Sequence, residues 1–190
     1  MSFYRTLILG MGNTLLTDEG AGIHGLKALQ AKTGHLSELT FVDGGTLSFT
    51  LAALFEDCDN LIVLDAAQLN SSAGTVKSFV NAEMDQFLGS AKRSAHEVGL
   101  MDLMDIARLT ETLPRNRALI AIQPKTIDWG MRPTPIVEQG LEQLVDQALN
   151  LINQWRSAEP EKIVLNTAKY FRAKDAFRSQ PSSPSRTVGD

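Results

Sequence analysis

Apolar and polar residues alternate along the chain in a pattern that predicts strands and helices in turn. Residues 6–9 are apolar on both faces of an extended backbone, as expected for a central strand of a parallel sheet. Gly10 and Gly12 then allow the backbone to turn sharply without a Cβ clash. A helical stripe with the spacing i, i+4 and i+7 follows, through Gly22, Leu26 and Leu29.

The rest of the chain repeats this alternation of apolar strand and amphipathic helix. Further strands are predicted at residues 39–42, 60–64, 75–80 and 118–122. The strand at 75–80 alternates and suits an antiparallel edge. Helical periodicity marks residues 47–55, 100–107 and 137–155, whereas residues 81–95 show no clean period and are predicted to be irregular. The order implies an α/β fold: three α/β/α layers around a twisted, mostly parallel five-stranded sheet, with one edge strand antiparallel.

Length and composition favour one domain and narrow the function classes. A chain of 190 residues with 43% apolar residues is expected to form one core, here residues 1–156. Residues 157–190 are predicted to be a tail, with a short basic helix followed by a disordered segment. The net charge of −4 argues against nucleic acid as a partner, and no apolar run is long enough for membrane insertion.

The single cysteine and the chain start predict a cytoplasmic protein. The first residues lead directly into a strand and lack a signal-peptide cleavage pattern. Cys58 excludes an internal disulfide and a thiolate-rich zinc site. Because Asp57 and Asp59 flank it, a reactive thiolate is disfavoured, and Cys58 is interpreted as structural.

Two acids, Asp18 and Glu19, stand where the first helix is predicted to begin. One interpretation is that they are first-turn acids that complement the helix dipole. A second is a dinucleotide site, because a strand, Gly-x-Gly and a helix are its ingredients. That interpretation is disfavoured because Leu15 occupies the position of the third glycine, and two carboxylates face the place where a pyrophosphate needs N–H groups. The third is that Glu19 is a metal ligand, which requires partners from elsewhere in the chain.

Those partners are available at other strand and helix ends. Glu19, Asp65 and His96 each lie where a strand leaves the sheet or a helix begins, and such loops meet at one edge of a parallel sheet. Two carboxylates and one imidazole suit a divalent first-row metal and leave coordination positions open. The other two histidines, His24 and His35, are interpreted as structural or exposed.

Five collinear motifs closely resemble the hydrogenase maturation proteases, which process the large subunit of nickel–iron hydrogenases. They are GMGNTLLTDEGAG at 10–22, DGGT at 43–46, LDA at 64–66, HEVGL at 96–100 and IQP at 122–124. The resemblance covers residues 5–155, and the DWG of 128–130 resembles the branch that serves membrane-bound uptake hydrogenases.

The resemblance implies a five-stranded sheet between helices and an activity on a partner protein. It implies that Glu19, Asp65 and His96 bind nickel carried by the precursor large subunit, that no metal is permanently bound, and that a short C-terminal peptide is removed. Asp43 is a candidate to accept the proton of the attacking water. Its carboxylate is an equally good candidate to fix the turn at Gly44 and Gly45. A monomer is the expected state.

Two other functions fit the same residues. The first is a metal-dependent peptidase or amidase that holds its own zinc or manganese and acts on small substrates. The second is a non-enzymatic maturation chaperone that holds an immature metalloprotein. A nucleotide-binding module ranks last, because the third glycine is missing.

Overall fold

The computed structural model describes residues 5–46, 51–89 and 95–158, without the side chains of residues 52, 95–98 and 158. The chain divides into two units, Met1–Asn153 and Gln154–Asp190, and the first contains the sheet and every residue discussed below. The predicted tail beyond residue 158 lies outside the described residues.

Five strands form one sheet in the order β2-β1-β3-β5-β4. The strands are β1 (Thr6–Met11), β2 (Leu39–Gly45), β3 (Asn60–Ala66), β4 (Val76–Val80) and β5 (Asn116–Ile122). The helices are α1 (Ala21–Thr33), α2 (Ala52–Phe55), α3 (Ala82–Leu88), α4 (Ala95–Leu109) and α5 (Pro135–Ala158), and a 3-10 turn at Thr17–Gly20 precedes α1. All neighbouring strands are parallel except β4 and β5. The predicted fold class, including its antiparallel edge strand, is confirmed.

Both faces of the central strands are buried, which explains why β1 and β3 are apolar without alternation. Leu7, Leu9 and Val63 belong to a core cluster that α2, α3 and α4 complete. On the opposite face lie the alternate residues of the same strands. There a Cβ at Gly25 of α1 would lie 2.6 Å from Leu144 of α5. The helices therefore form one layer on each side of the sheet.

Two predictions of local structure were wrong. Residues 82–88, predicted to be irregular, form α3, which buries only Met84 and Leu88. A helix of two turns is too short to show a clean period, and tertiary contacts fix it: Phe87 stacks on Phe79 of β4 with ring centroids 4.2 Å apart. The helix predicted after residue 96 already includes Ala95, so His96 lies within α4 and not ahead of it. Residues 47–50 of the second predicted helix lie outside the described residues.

No helix in the described part of the chain combines the length and apolarity that crossing a membrane requires.

Candidate functional site

Glycines bring the turn that carries Glu19 against the carboxyl edge of the sheet, which is the edge at which the parallel strands end. Gly12 has φ +126°, and a Cβ there would lie 1.9 Å from the carbonyl oxygen of Glu19. A Cβ at Gly22 would lie 2.2 Å from the carbonyl oxygen of Leu64 and 2.4 Å from that of Met11. Only a residue without a side chain permits this approach of backbone to backbone. Half-buried Glu19 is thereby held beside the ends of β1 and β3.

Asp65 lies near the end of β3, at the same edge. The residue is 1% exposed. Its Oδ1 accepts a hydrogen bond from the backbone N–H of Ala66 at 2.8 Å. Alternation along β3 places Asp65 on the same face as Leu61 and Val63, which is the face that α4 covers. Asp65 therefore lies on the face of the sheet that α4 covers, at its carboxyl edge.

The backbone of His96 also reaches this edge. Because α4 leads into β5, which is parallel to β1 and β3, the helix starts at the carboxyl edge. Leu100, Leu103 and Met104 then anchor α4 on the sheet. The side chain of His96 is outside the description. Among the described side chains, no three His, Cys, Asp or Glu residues form a cluster that could hold a metal ion. The ligand set of Glu19, Asp65 and His96 remains a prediction.

Asp43 closes the neighbouring turn on β2. It is exposed, and its Oδ1 accepts a hydrogen bond from the N–H of Gly45 at 3.0 Å. The carbonyl oxygen of Gly45 in turn accepts the N–H of Gly12 at 2.8 Å. The hydrogen bond between Asp43 and Gly45 shows that Asp43 fixes the turn, which is one of the two roles considered from the sequence. The exposed carboxylate of Asp43 has a second oxygen that is open to water.

Asp18 is the residue whose role the sequence did not reveal. It is fully buried, at 0% exposed, so it is not a solvated first-turn acid. Its carboxylate accepts hydrogen bonds from the N–H groups of Lys125 at 2.9 Å, Thr126 at 3.0 Å and Thr134 at 2.6 Å. It also accepts the hydroxyl of Thr134 at 3.0 Å. Asp18 thus ties the loop 125–134 to the turn that holds Glu19, and no local pattern in the sequence signals partners so far along the chain.

The charge state of Asp18 follows from these contacts. Burial by itself raises the pKa of a carboxyl group, but the hydrogen bonds from Thr126, Thr134 and Lys125 outweigh it, and the pKa of Asp18 is lowered from its ordinary value of 3.8. Asp18 is therefore ionised at neutral pH, and its contribution to stability depends on that charge.

Replacing Asp18 with Asn is expected to lower the free energy of unfolding at pH 7 by about 2–3 kcal/mol. An amide at this position turns an NH₂ group toward backbone N–H donors. Because the folded pKa is depressed, the carboxylate stabilises the protein above the unfolded pKa of about 3.9, and this stabilisation is lost as the pH falls through the folded value. Urea unfolding at pH 7 and pH 3 measures the effect. A difference between wild type and Asp18→Asn that does not shrink in acid would contradict this account.

The remaining histidines and the cysteine agree with the sequence-based interpretation. His35 is exposed. His24 is half-buried, and burial followed by the charge of Lys27 lowers its pKa. Its Nε2 has no hydrogen-bond partner among the described residues. Burial and the charge of Asp59 raise the pKa of the Cys58 thiol to about 12, so a reactive thiolate is disfavoured, as predicted.

The fold and its carboxyl edge define a class: a three-layer α/β protein whose candidate site is built from oxygen ligands at the ends of parallel strands. Residues 23–151 match the sequence model of a family described as hydrogenase maturation protease. The hydrogenase expression/formation protein HupD of Bradyrhizobium diazoefficiens is 32% identical over 172 residues, which cover 85% of this chain and 90% of that protein.

Solved structures agree with the sequence match. The hydrogenase maturating endopeptidase HybD of Escherichia coli superposes with a TM-score of 0.72 at 29% identity, covering 79% of this chain and 93% of that one. HybD of Thermococcus kodakarensis, a nickel–iron hydrogenase maturation protease, gives 0.67 at 32% identity, covering 77% and 98%. The chain belongs to the hydrogenase maturation protease family, and it is an endopeptidase that hydrolyses peptide bonds.

Proposed function

We propose that this protein removes the C-terminal peptide from the nickel-loaded precursor of a nickel–iron hydrogenase large subunit. The observation that supports the proposal is that Glu19 and Asp65 lie at the carboxyl edge of the sheet, and the chain order directs the start of α4, which bears His96, toward the same edge. Membership of the hydrogenase maturation protease family indicates the reaction, and we propose this edge of the sheet as the place where a metal that arrives with the substrate binds.

The chemistry of the three residues suits recognition of a metal delivered by another protein. Two carboxylates and one imidazole form a poor nickel cage by themselves, because soft thiolate ligands are missing. They become adequate when thiolates of the precursor supply the remaining ligands. Recognition of a cleavable precursor then depends on the presence of nickel, so an unloaded precursor is left uncut. On this proposal nickel is part of the substrate and not a resident cofactor.

Hydrolysis at this edge requires activation of water near the metal. The nickel bound between enzyme and precursor polarises the scissile carbonyl or the attacking water as a Lewis acid. A carboxylate accepts the proton of that water, and we propose Asp43 or one of the two ligand carboxylates for this role. Asp43 suits it because it is exposed beside the turn that Gly12 closes. The proton then passes to the amine of the leaving peptide.

The cellular setting follows from the same reaction. We propose that the protein acts in the cytoplasm, as a monomer, where precursors are loaded with metal before folding is complete. A single free cysteine suits that reducing compartment.

The test is to incubate the purified full chain with nickel-loaded and with metal-free precursor, and to weigh the products by mass spectrometry. We expect the loaded precursor to lose a C-terminal peptide and the metal-free precursor to remain intact. Equal cleavage of both would refute nickel recognition. Stable association without any shortening would favour the chaperone alternative. A stoichiometric, tightly bound metal in the purified protein would favour the other alternative, a peptidase or amidase with its own bound metal.

A further inference from the structure

Large exposed apolar side chains concentrate on one pair of loops. In the described part of the chain six such side chains are exposed, and four of them lie on these two loops: Leu15, Ile127, Trp129 and Met131. Trp129 is 80% exposed and Met131 is 72% exposed. We call Leu15, Ile127, Trp129 and Met131 the apolar rim. Clusters of exposed apolar side chains on a folded protein mark interaction sites.

Hydrogen bonds hold the backbone of the two loops that carry the exposed apolar rim. The N–H of Gly130 donates to the carbonyl oxygen of Leu15 at 2.9 Å, and the N–H of Thr17 donates to that of Gly130 at 2.7 Å. The hydroxyl of Thr17 donates to the carbonyl oxygen of Thr126 at 2.8 Å and accepts the N–H of Asp128 at 3.1 Å. A surface that is ordered before binding loses little conformational entropy when a partner docks on it.

The rim is continuous with the candidate site. Leu16 pairs with Gly130 in a parallel bridge, and its carbonyl oxygen accepts the N–H of Glu19 at 2.9 Å. The buried Asp18, which directly precedes Glu19, accepts hydrogen bonds from the N–H groups of Lys125 and Thr126 in the same loop. Hydrogen bonds therefore join the loops that carry the rim directly to the turn that carries Glu19.

We propose that the apolar rim binds an apolar segment of the precursor next to the scissile peptide bond. The proposal rests on the proposed function and names the surface by which the same site holds its substrate. Its side-chain types support it, because Trp and Met are enriched in protein interfaces and Trp is the residue most often found at their energetic centres. Docking on the rim positions the precursor segment beside the scissile bond, while the metal and the carboxylates act on the bond itself.

The experiment compares wild type with the double variant Trp129→Ser/Met131→Ser, using nickel-loaded precursor as substrate. The matched control is Leu109→Ser, because Leu109 is 86% exposed and ends α4 at the opposite edge of the sheet. We expect the KM of the double variant to rise at least about tenfold with kcat within about twofold of wild type. The control is expected to match wild type in both constants. Thermal unfolding of all three proteins checks that the exposed substitutions leave the fold intact.

Calorimetric titration of metal-free precursor, which is expected to remain uncut, into each full-length protein measures docking without cleavage, and the cleavage assay with nickel-loaded precursor is read beside it. We expect the double variant to bind at least about tenfold more weakly than wild type and Leu109→Ser. If wild type binds but never cuts, and the double variant binds more weakly, the docking surface stands and the peptidase proposal fails. Equal binding or equal KM in the double variant overturns the docking surface. So does absence of any binding by wild type. Gel filtration that shows wild type as a dimer and the double variant as a monomer would instead assign the rim to self-association, and overturns the proposal as well.

Discussion

Replacing Asp65 with Asn is expected to lower kcat/KM for nickel-loaded precursor by on the order of 100-fold or more. Partners in the outer shell of a metal site already change affinity or activity by about 10–100-fold, and a direct ligand is expected to reach or exceed that range. The amide keeps the shape of the side chain and can still accept the N–H of Ala66, so the loss isolates the charge. Cleavage followed by mass spectrometry measures the effect.

The matched control for this variant is Asp57→Asn, at the opposite edge of the sheet. The side chain of Asp57 is 76% exposed and pairs with exposed Arg5 at 3.2 Å, so its replacement changes the net charge equally and is expected to leave processing unchanged. The variants Glu19→Gln and His96→Ala are expected to behave like Asp65→Asn. If folded Asp65→Asn processes loaded precursor at the wild-type rate, the ligand assignment is wrong.

Replacing Gly22 with Ala is expected to lower the free energy of unfolding by at least about 4 kcal/mol, and the melting temperature by on the order of 10 °C. Within a helix, Ala is intrinsically favoured over Gly by about 1 kcal/mol. Here the new Cβ would lie 2.2 Å and 2.4 Å from two carbonyl oxygens, which is far inside contact distance, and both obstacles are backbone. The clash therefore outweighs the propensity.

The same substitution at Gly45 separates steric contact from backbone strain. Gly45 has φ +50°, but nothing lies within 4 Å of its would-be Cβ, so Ala there is expected to cost about 1–2 kcal/mol. Because α1 can accept the Cβ only by moving from the ends of β1 and β3, Gly22→Ala is also expected to cleave loaded precursor more slowly. A melting temperature for Gly22→Ala as high as that for Gly45→Ala would show that the close packing is not maintained in solution.

The architecture could be predicted because the hydrophobic periodicity of each segment indicates its type of secondary structure. The continuous apolar runs of β1 and β3 specify strands buried on both faces, and the alternation of residues 75–80 specifies the antiparallel edge that β4 provides. The position of Asp65 followed too, since a residue at the end of a parallel strand reaches the carboxyl edge whatever its neighbours are. The helix α3 was missed because its two turns are fixed by contact with Phe79 of β4 and not by a period of its own.

The sequence by itself determined the layers, the strand directions and the edge of the sheet at which Glu19 and Asp65 lie, because each depends on patterns within a few residues. Only the tertiary structure decided the role of Asp18, whose partners lie 107 to 116 residues further along the chain. It also decided which apolar side chains of the loop 125–134 are exposed, since hydrogen bonds to residues 15–18 fix the backbone of that loop. Hydrophobic periodicity records whether a residue is buried within its own element, whereas the partner of a buried charge is set by where distant segments meet.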